Sequence, residues 1–150
     1  MMKLMQTVTA IALATTTFAA HAAPTASNNE IDRTKEVAYT CQISVNGKVQ
    51  NQNITAMYGI KGDQVVVAQL KIGETITPGM WRDSFPVMNR FVSQDENVKT
   101  TMWTAFPADA NNVDKVDGGK FSVANTAGAA HSIVLENCKL DKTATAKLTR

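Results

Sequence analysis

In Glu36-Val37-Ala38-Tyr39-Thr40-Cys41-Gln42-Ile43-Ser44-Val45-Asn46-Gly47, apolar side chains fall on every second residue. Val37, Tyr39, Cys41, Ile43 and Val45 share one face of an extended chain, the period of a strand with one buried side. Asn46-Gly47 follows at once and supplies the positive φ angles of a two-residue hairpin turn. The chain then returns through Val49 to Tyr58, with Ile54, Ala56 and Tyr58 on one face. The polar run Gln50 to Asn53 marks an exposed edge or a bulge. Cys41 lies on the apolar face, so any disulfide it forms is internal.

The same period continues downstream. Gln64 to Ile72 reads as a third strand, with Val66, Ala68, Leu70 and Ile72 facing one way. Met80 to Val92 reads as one or two strands with Phe85, Val87 and Phe91 in phase, and Pro86 places an edge or a bulge there. Val98 to Phe106 alternates again, with Val98, Thr100, Met102, Thr104 and Phe106 on one face. Pro107 to Gly119 is a long polar loop. Lys120 to Asn125 is a short strand with Phe121 and Val123 inward. Ser132 to Cys138 closes the domain with Ile133 and Leu135 in phase. Cys138 falls in the opposite phase from those two, which predicts a bulge or a strand end near Asn137. No segment sustains an apolar period of 3.6. Seven or eight short strands imply an all-β sandwich or barrel.

The first 22 residues have the form of a secretory signal peptide: Lys3, then an apolar run to Ala20, then the small-x-small site Ala20-His21-Ala22. Threonines dilute the run, and it is too short for a membrane span. Nothing after Ala22 is long or apolar enough to span, so no transmembrane segment is expected in the mature chain. Cleavage leaves residues 23–150, or 128 of the 150, with 14 basic against 13 acidic side chains and His131 as the one histidine. A balance of +1 without a Lys/Arg cluster argues against nucleic acid as a partner. Residues 23–35 lack an apolar period and read as a flexible lead-in. Residues 36–138 form the domain, and 139–150 form a basic, solvated tail. Cys41 and Cys138 are the only cysteines, and export to an oxidising compartment makes their pairing the expectation. Such a bond joins the first and last strands and favours a closed sheet.

The residues point to binding rather than catalysis, with no cofactor and no metal. His131 sits in a Gly-Ala-Ala-His-Ser turn with no nucleophile elbow anywhere in the chain. Asp95-Glu96 and Asp114/Asp117 read as solvated loop acids. Asp109, Asp114 and Asp117 do not have calcium-loop spacing. Asn53-Ile54-Thr55 fits the glycosylation sequon but carries little weight behind a leader of this kind. Trp81 and Trp103 read as core or sheet-face residues rather than ligand platforms.

Several segments, in order, match one family. Val37-Ala38-Tyr39-Thr40-Cys41 is similar to its opening Val-x-Tyr-x-Cys, and Met57-Tyr58-Gly59 to its second-strand ending. Phe85-Pro86-Val87 and Asp95-Glu96-Asn97-Val98 are similar to its Met-Pro-Val and Ser-Asp-Asn-Val segments. Asp117-Gly118-Gly119-Lys120-Phe121 is similar to its Asp-Gly-Lys-x-Tyr turn. Ile133-Val134-Leu135-Glu136-Asn137-Cys138 is similar to its closing Ile-Val-Phe-Lys-Asp-Cys. On these residues the chain resembles the adhesin complex protein family of Neisseria and its relatives, which shares the fold of the periplasmic and membrane-bound inhibitors of c-type lysozyme.

The resemblance implies an eight-stranded antiparallel barrel and a periplasmic or outer-membrane surface location. It also implies inhibition of a host c-type lysozyme, with adhesion to host surfaces as a further or alternative role. Asp117, Gly118, Gly119, Lys120 and Phe121 are then expected to form a protruding loop whose Lys120 enters the acidic cleft. The Ser-Gly-x-x-Tyr motif of the membrane-bound inhibitors is absent, so their inhibitory contact is not carried over.

Overall fold

A computed structural model describes residues 31–93, 100–125 and 129–148. The proposed leader, Asp95-Glu96-Asn97-Val98 and most of the proposed lead-in lie outside the described residues. The elements are β1 (Arg33–Val45), β2 (Lys48–Lys61), β3 (Gln64–Ile72), β4 (Thr75–Ile76), β5 (Met80–Arg82), β6 (Asn89–Ser93), β7 (Thr100–Ala105), β8 (Gly118–Ala124), β9 (Ser132–Leu140) and a short helix α1 (Lys142–Leu148).

The neighbours run β2-β1-β9-β8-β7-β6-β5-β3, and β3 pairs back onto β2. This closes an eight-stranded antiparallel barrel, with β4 as a two-residue edge on β3. Closure leaves most strands without a free edge, which is how a small β domain avoids open templates for association. Cys41 and Cys138 are bonded, and the bond ties β1 to β9 across the seam between the two ends of the chain.

Among the described residues, four bulges set which side chains enter the core. In β9, Asn137 and Cys138 together face Cys41, because Thr40 pairs with Lys139 and Gln42 with Glu136. Asn137 has φ 51° and carries the extra residue. The break in phase between Leu135 and Cys138 is thereby explained, and both are buried. A second bulge leaves Val134 unmatched between Leu135 and Ile133, so Ile133 turns outward, contrary to the sequence expectation. A third lies where Ile60 pairs with Val65 and Gly59 with Val67. It puts Val65 rather than Val66 inside. The fourth lies in β8, where Gly119 is left unmatched.

Two further expectations are corrected. In β7 the inward set is Thr101, Trp103 and Ala105, and Phe106 is exposed. The indole decides the phase, because it is the largest apolar surface available to bury. Phe85 and Val87 lie in the connection between β5 and β6 rather than in the core. There the Arg90 guanidinium sits 4.4 Å over the Phe85 ring and Arg90 Nε donates to Asp83 Oδ2 at 2.7 Å.

Both ends of the domain are more ordered than its composition suggested. β1 begins at Arg33, where the lead-in was expected to continue to residue 35. Residues 139–148 are not a free tail. Asp141 caps α1 by accepting from Ala144 N at 2.9 Å, and Thr145 is buried against β1. Thr145 Oγ1 accepts from Ala38 N at 2.9 Å, a backbone donor beyond the reach of the β9 ladder. Alternation along 139–150 carries no trace of this, because one buried threonine does the docking.

The core holds Tyr39, Tyr58, Phe91 and Trp103 with aliphatic neighbours from every long strand. The Tyr39 and Tyr58 hydroxyls lie 2.8 Å apart, and Trp103 Nε1 donates to Tyr58 OH at 2.9 Å. Burial pushes the Tyr58 phenol up to about 12, even though its two hydrogen bonds favour the anion. Burial pushes Tyr39 up further, and the neighbouring Tyr58 and Asp117 reinforce the shift. A raised acid contributes stability that is whole below the unfolded value near 10 and is lost as pH rises through the folded value. These are the only two tyrosines in the chain. Tyrosinate absorbance is therefore expected to stay flat through about pH 10 and then to rise together with loss of near-ultraviolet circular dichroism. A tyrosinate signal near pH 10 in a still-folded protein would contradict the buried pair.

Candidate binding surface

The five residues from Asp117 to Phe121 do not form a protruding loop. Gly118 to Phe121 belong to β8 and lie in the barrel wall. Asp117 Oδ1 accepts from Leu140 N at 2.8 Å, and its Oδ2 lies 3.5 Å from Lys139 Nζ, so the carboxylate ties β8 to β9. Phe121 is buried and paired with Trp103 and Leu135. Lys120 alone of the five is exposed.

The two glycines serve close approach rather than projection. A Cβ on Gly118 would stand 2.8 Å from Trp103 Cη2 and 3.2 Å from Tyr39 Cε1. Gly119 is the unmatched residue of the fourth bulge, since Lys120 pairs with Thr104 and Gly118 with Ala105. A Cβ on Gly119 would run into the Thr104 carbonyl oxygen. Backbone cannot retreat as a side-chain tip can. Gly119→Ala is expected to cost about 1–3 kcal/mol, read as a lower midpoint in urea at unchanged m.

The two glycines also lie among the residues that line a depression of about 330 Å³ on the wall. Its rim includes Phe106, Lys120, Ile133, Glu136 and Met88. Phe106 is 47% exposed and Ile133 53%, and Val87 beside Met88 is 65% exposed. Lys139 also lines the depression, held 3.5 Å from Asp117, so Lys120 is the lysine of the rim without that carboxylate, set beside exposed apolar side chains of the kind that mark a docking surface. The bulge at Val134 is what brings Ile133 to it. Sequence reading placed Phe106 and Ile133 in strand faces and so missed both.

The remaining candidates stay apart. Trp103 is fully buried, which removes it as a ligand platform. Asp114 lies 3.6 Å from Lys35 Nζ, and that ammonium donates to Ala110 O at 2.9 Å. Ala110 N in turn donates to Asp63 O, so the loop from 107 to 117 plugs one end of the barrel. Ser122 Oγ lies 3.3 Å from His131 Nδ1, a part-buried contact between β8 and the residue that precedes β9. Among the described residues no group of three or more His, Cys, Asp or Glu side chains is placed to hold a metal ion, and no helix is long and apolar enough to cross a membrane. No protein-family model and no curated protein matches the chain.

Proposed function

We propose that this chain is an exported binding barrel that inhibits a c-type lysozyme, with the wall around Lys120 as its docking face. The observation that carries the reading is the exposed Lys120 at the depression that Gly118 and Gly119 help to line, flanked by the exposed Phe106 and Ile133. A lysozyme cleft presents two carboxylates to its substrate, so a cation set among apolar side chains complements it in charge and in apolar contact. The buried disulfide fits an oxidising compartment, and the order of family-like segments from Val37 to Cys138 supports the same reading. The contact is made by a strand face of the wall.

Lysis of bacterial cell walls by human and hen c-type enzymes, followed by turbidity, tests this directly. Inhibition is expected at micromolar protein, and Lys120→Glu should weaken it at least about tenfold. The exposed position of Lys120 predicts an unchanged melting temperature for that variant. No inhibition of either enzyme at micromolar protein would sink the proposal. Full inhibition by Lys120→Glu would remove the docking face and leave the activity. Attachment to host surfaces is the second reading, favoured by the exposure of Val87 on a loop pinned by Arg90 and Asp83. Deleting the gene then lowers attachment and leaves lysozyme tolerance unchanged.

A further inference from the structure

The β1–β2 hairpin runs past the rest of the barrel. β9 pairs with β1 only as far as Gln42, and β3 pairs with β2 only from Ile54. Beyond those points the ribbon has two strands among the described residues, and every residue from Ser44 to Asn51 is exposed. Pairing within the ribbon alternates from Val45↔Lys48 at the two-residue turn. Val49 and Asn51 therefore turn their N–H and C=O groups away from β1, along the free side of β2. The same parity holds lower down, where Ala38 N and Ala38 O face outward to Thr145 and Asp141.

Free edges of this length usually carry charge or proline as protection. This one does not. Between Gln42 and Ile54 the sole charged residue is Lys48, and there is no proline. Antiparallel pairing of the edge with itself, centred on Gln50, sets Val49 opposite Asn51 and Asn51 opposite Val49. That arrangement satisfies all four outward groups of each copy with four hydrogen bonds. Lys48 then faces Gln52, and no like charges meet. The edge is self-complementary about a two-fold axis, which is the requirement for a closed dimer.

We propose that the occupant of this edge is a second copy of the chain, joined along Val49–Asn51 by strand addition with Gln50 on the two-fold axis. The interface lies on the hairpin and involves neither Lys120 nor the depression, so it stands or falls independently of lysozyme inhibition.

Sedimentation of the purified chain across concentration tests it, with Gln50→Lys and Gln50→Glu as probes. The wild type should dimerise reversibly at about 100 μM or below. Each single variant places like charges across the axis and should dissociate at least about tenfold more readily. An equimolar mixture of the two should regain the dimer, because opposite charges then meet. Asn51→Pro removes an N–H that the hairpin itself does not use, and it should give a folded monomer with an unchanged melting curve. A wild type that stays monomeric at about 100 μM overturns the proposal. So does a dimer indifferent to both Gln50 variants, or one that the mixture fails to restore.

Discussion

Replacing the disulfide by alanines (Cys41→Ala with Cys138→Ala) is expected to cost about 3–5 kcal/mol, a large share of the stability of a domain this size. The bond spans 97 residues, and the chain-entropy account assigns a loop of that length about 4.7 kcal/mol. Position adds to length. β1 and β9 pair only at Tyr39–Leu140, Thr40–Lys139 and Gln42–Glu136, with the Asn137 bulge among them. β1 and β2, by contrast, pair without a break from Arg33–Ile60 to Val45–Lys48. The junction between the first and last strands is thus far more thinly bonded than the β1–β2 ladder, and the disulfide sits in it. Thermal unfolding should move down by roughly 15 °C or more. Amide exchange at Thr40 and Gln42, whose N–H groups face β9, should accelerate before exchange in the β1–β2 ladder does. Both cysteines are fully buried, so reductant without denaturant should leave the wild type intact. Fast reduction under native conditions, or a double variant with wild-type melting, would refute this account of the seam.

The seam also shows why part of the fold was readable and part was not. Period two gave the strands, since a strand with one wet face must alternate. The Asn137 bulge was readable because its two flanks, Leu135 and Cys138, had independent reasons to be inside. Val134 and Val66 had no such anchors. A bulge inside an all-apolar run leaves the pattern unchanged whichever residue is squeezed out, so Ile133 was placed inward and Val65 outward. Gly118-Gly119 was ambiguous for a different reason. Glycine serves equally in a turn that projects and in a strand that must approach a ring or a carbonyl. Only the position of Trp103 and Thr104 distinguishes the two, and that is tertiary information. The proposed docking face depends on the same facts: Lys120 is exposed on β8, but Phe106 and Ile133 come beside it through strand phases and a bulge that alternation alone does not carry.

Trp103→Ala is expected to be the most damaging single core substitution, at about 3–5 kcal/mol. The indole is 0% exposed, packs against Tyr39 with ring centroids 5.5 Å apart, and donates to Tyr58 OH. Truncation leaves a cavity and removes one partner from a buried hydroxyl pair, and both effects act in the same direction. Trp103→Phe keeps much of the volume and should cost less. In both backgrounds the benzo edge that touches Gly118 is gone. Gly118→Ala should therefore destabilise the wild type, where its methyl meets Trp103 Cη2 at 2.8 Å, and cost far less or become stabilising once Trp103 is replaced. A double-mutant cycle in urea measures this coupling. Gly119→Ala supplies the control, because its obstacle is the Thr104 carbonyl and no change at position 103 removes it. Equal costs of Gly118→Ala in wild-type and Trp103→Phe backgrounds would show that the glycine is not there to admit the indole, and that the wall beside Lys120 is shaped by something else.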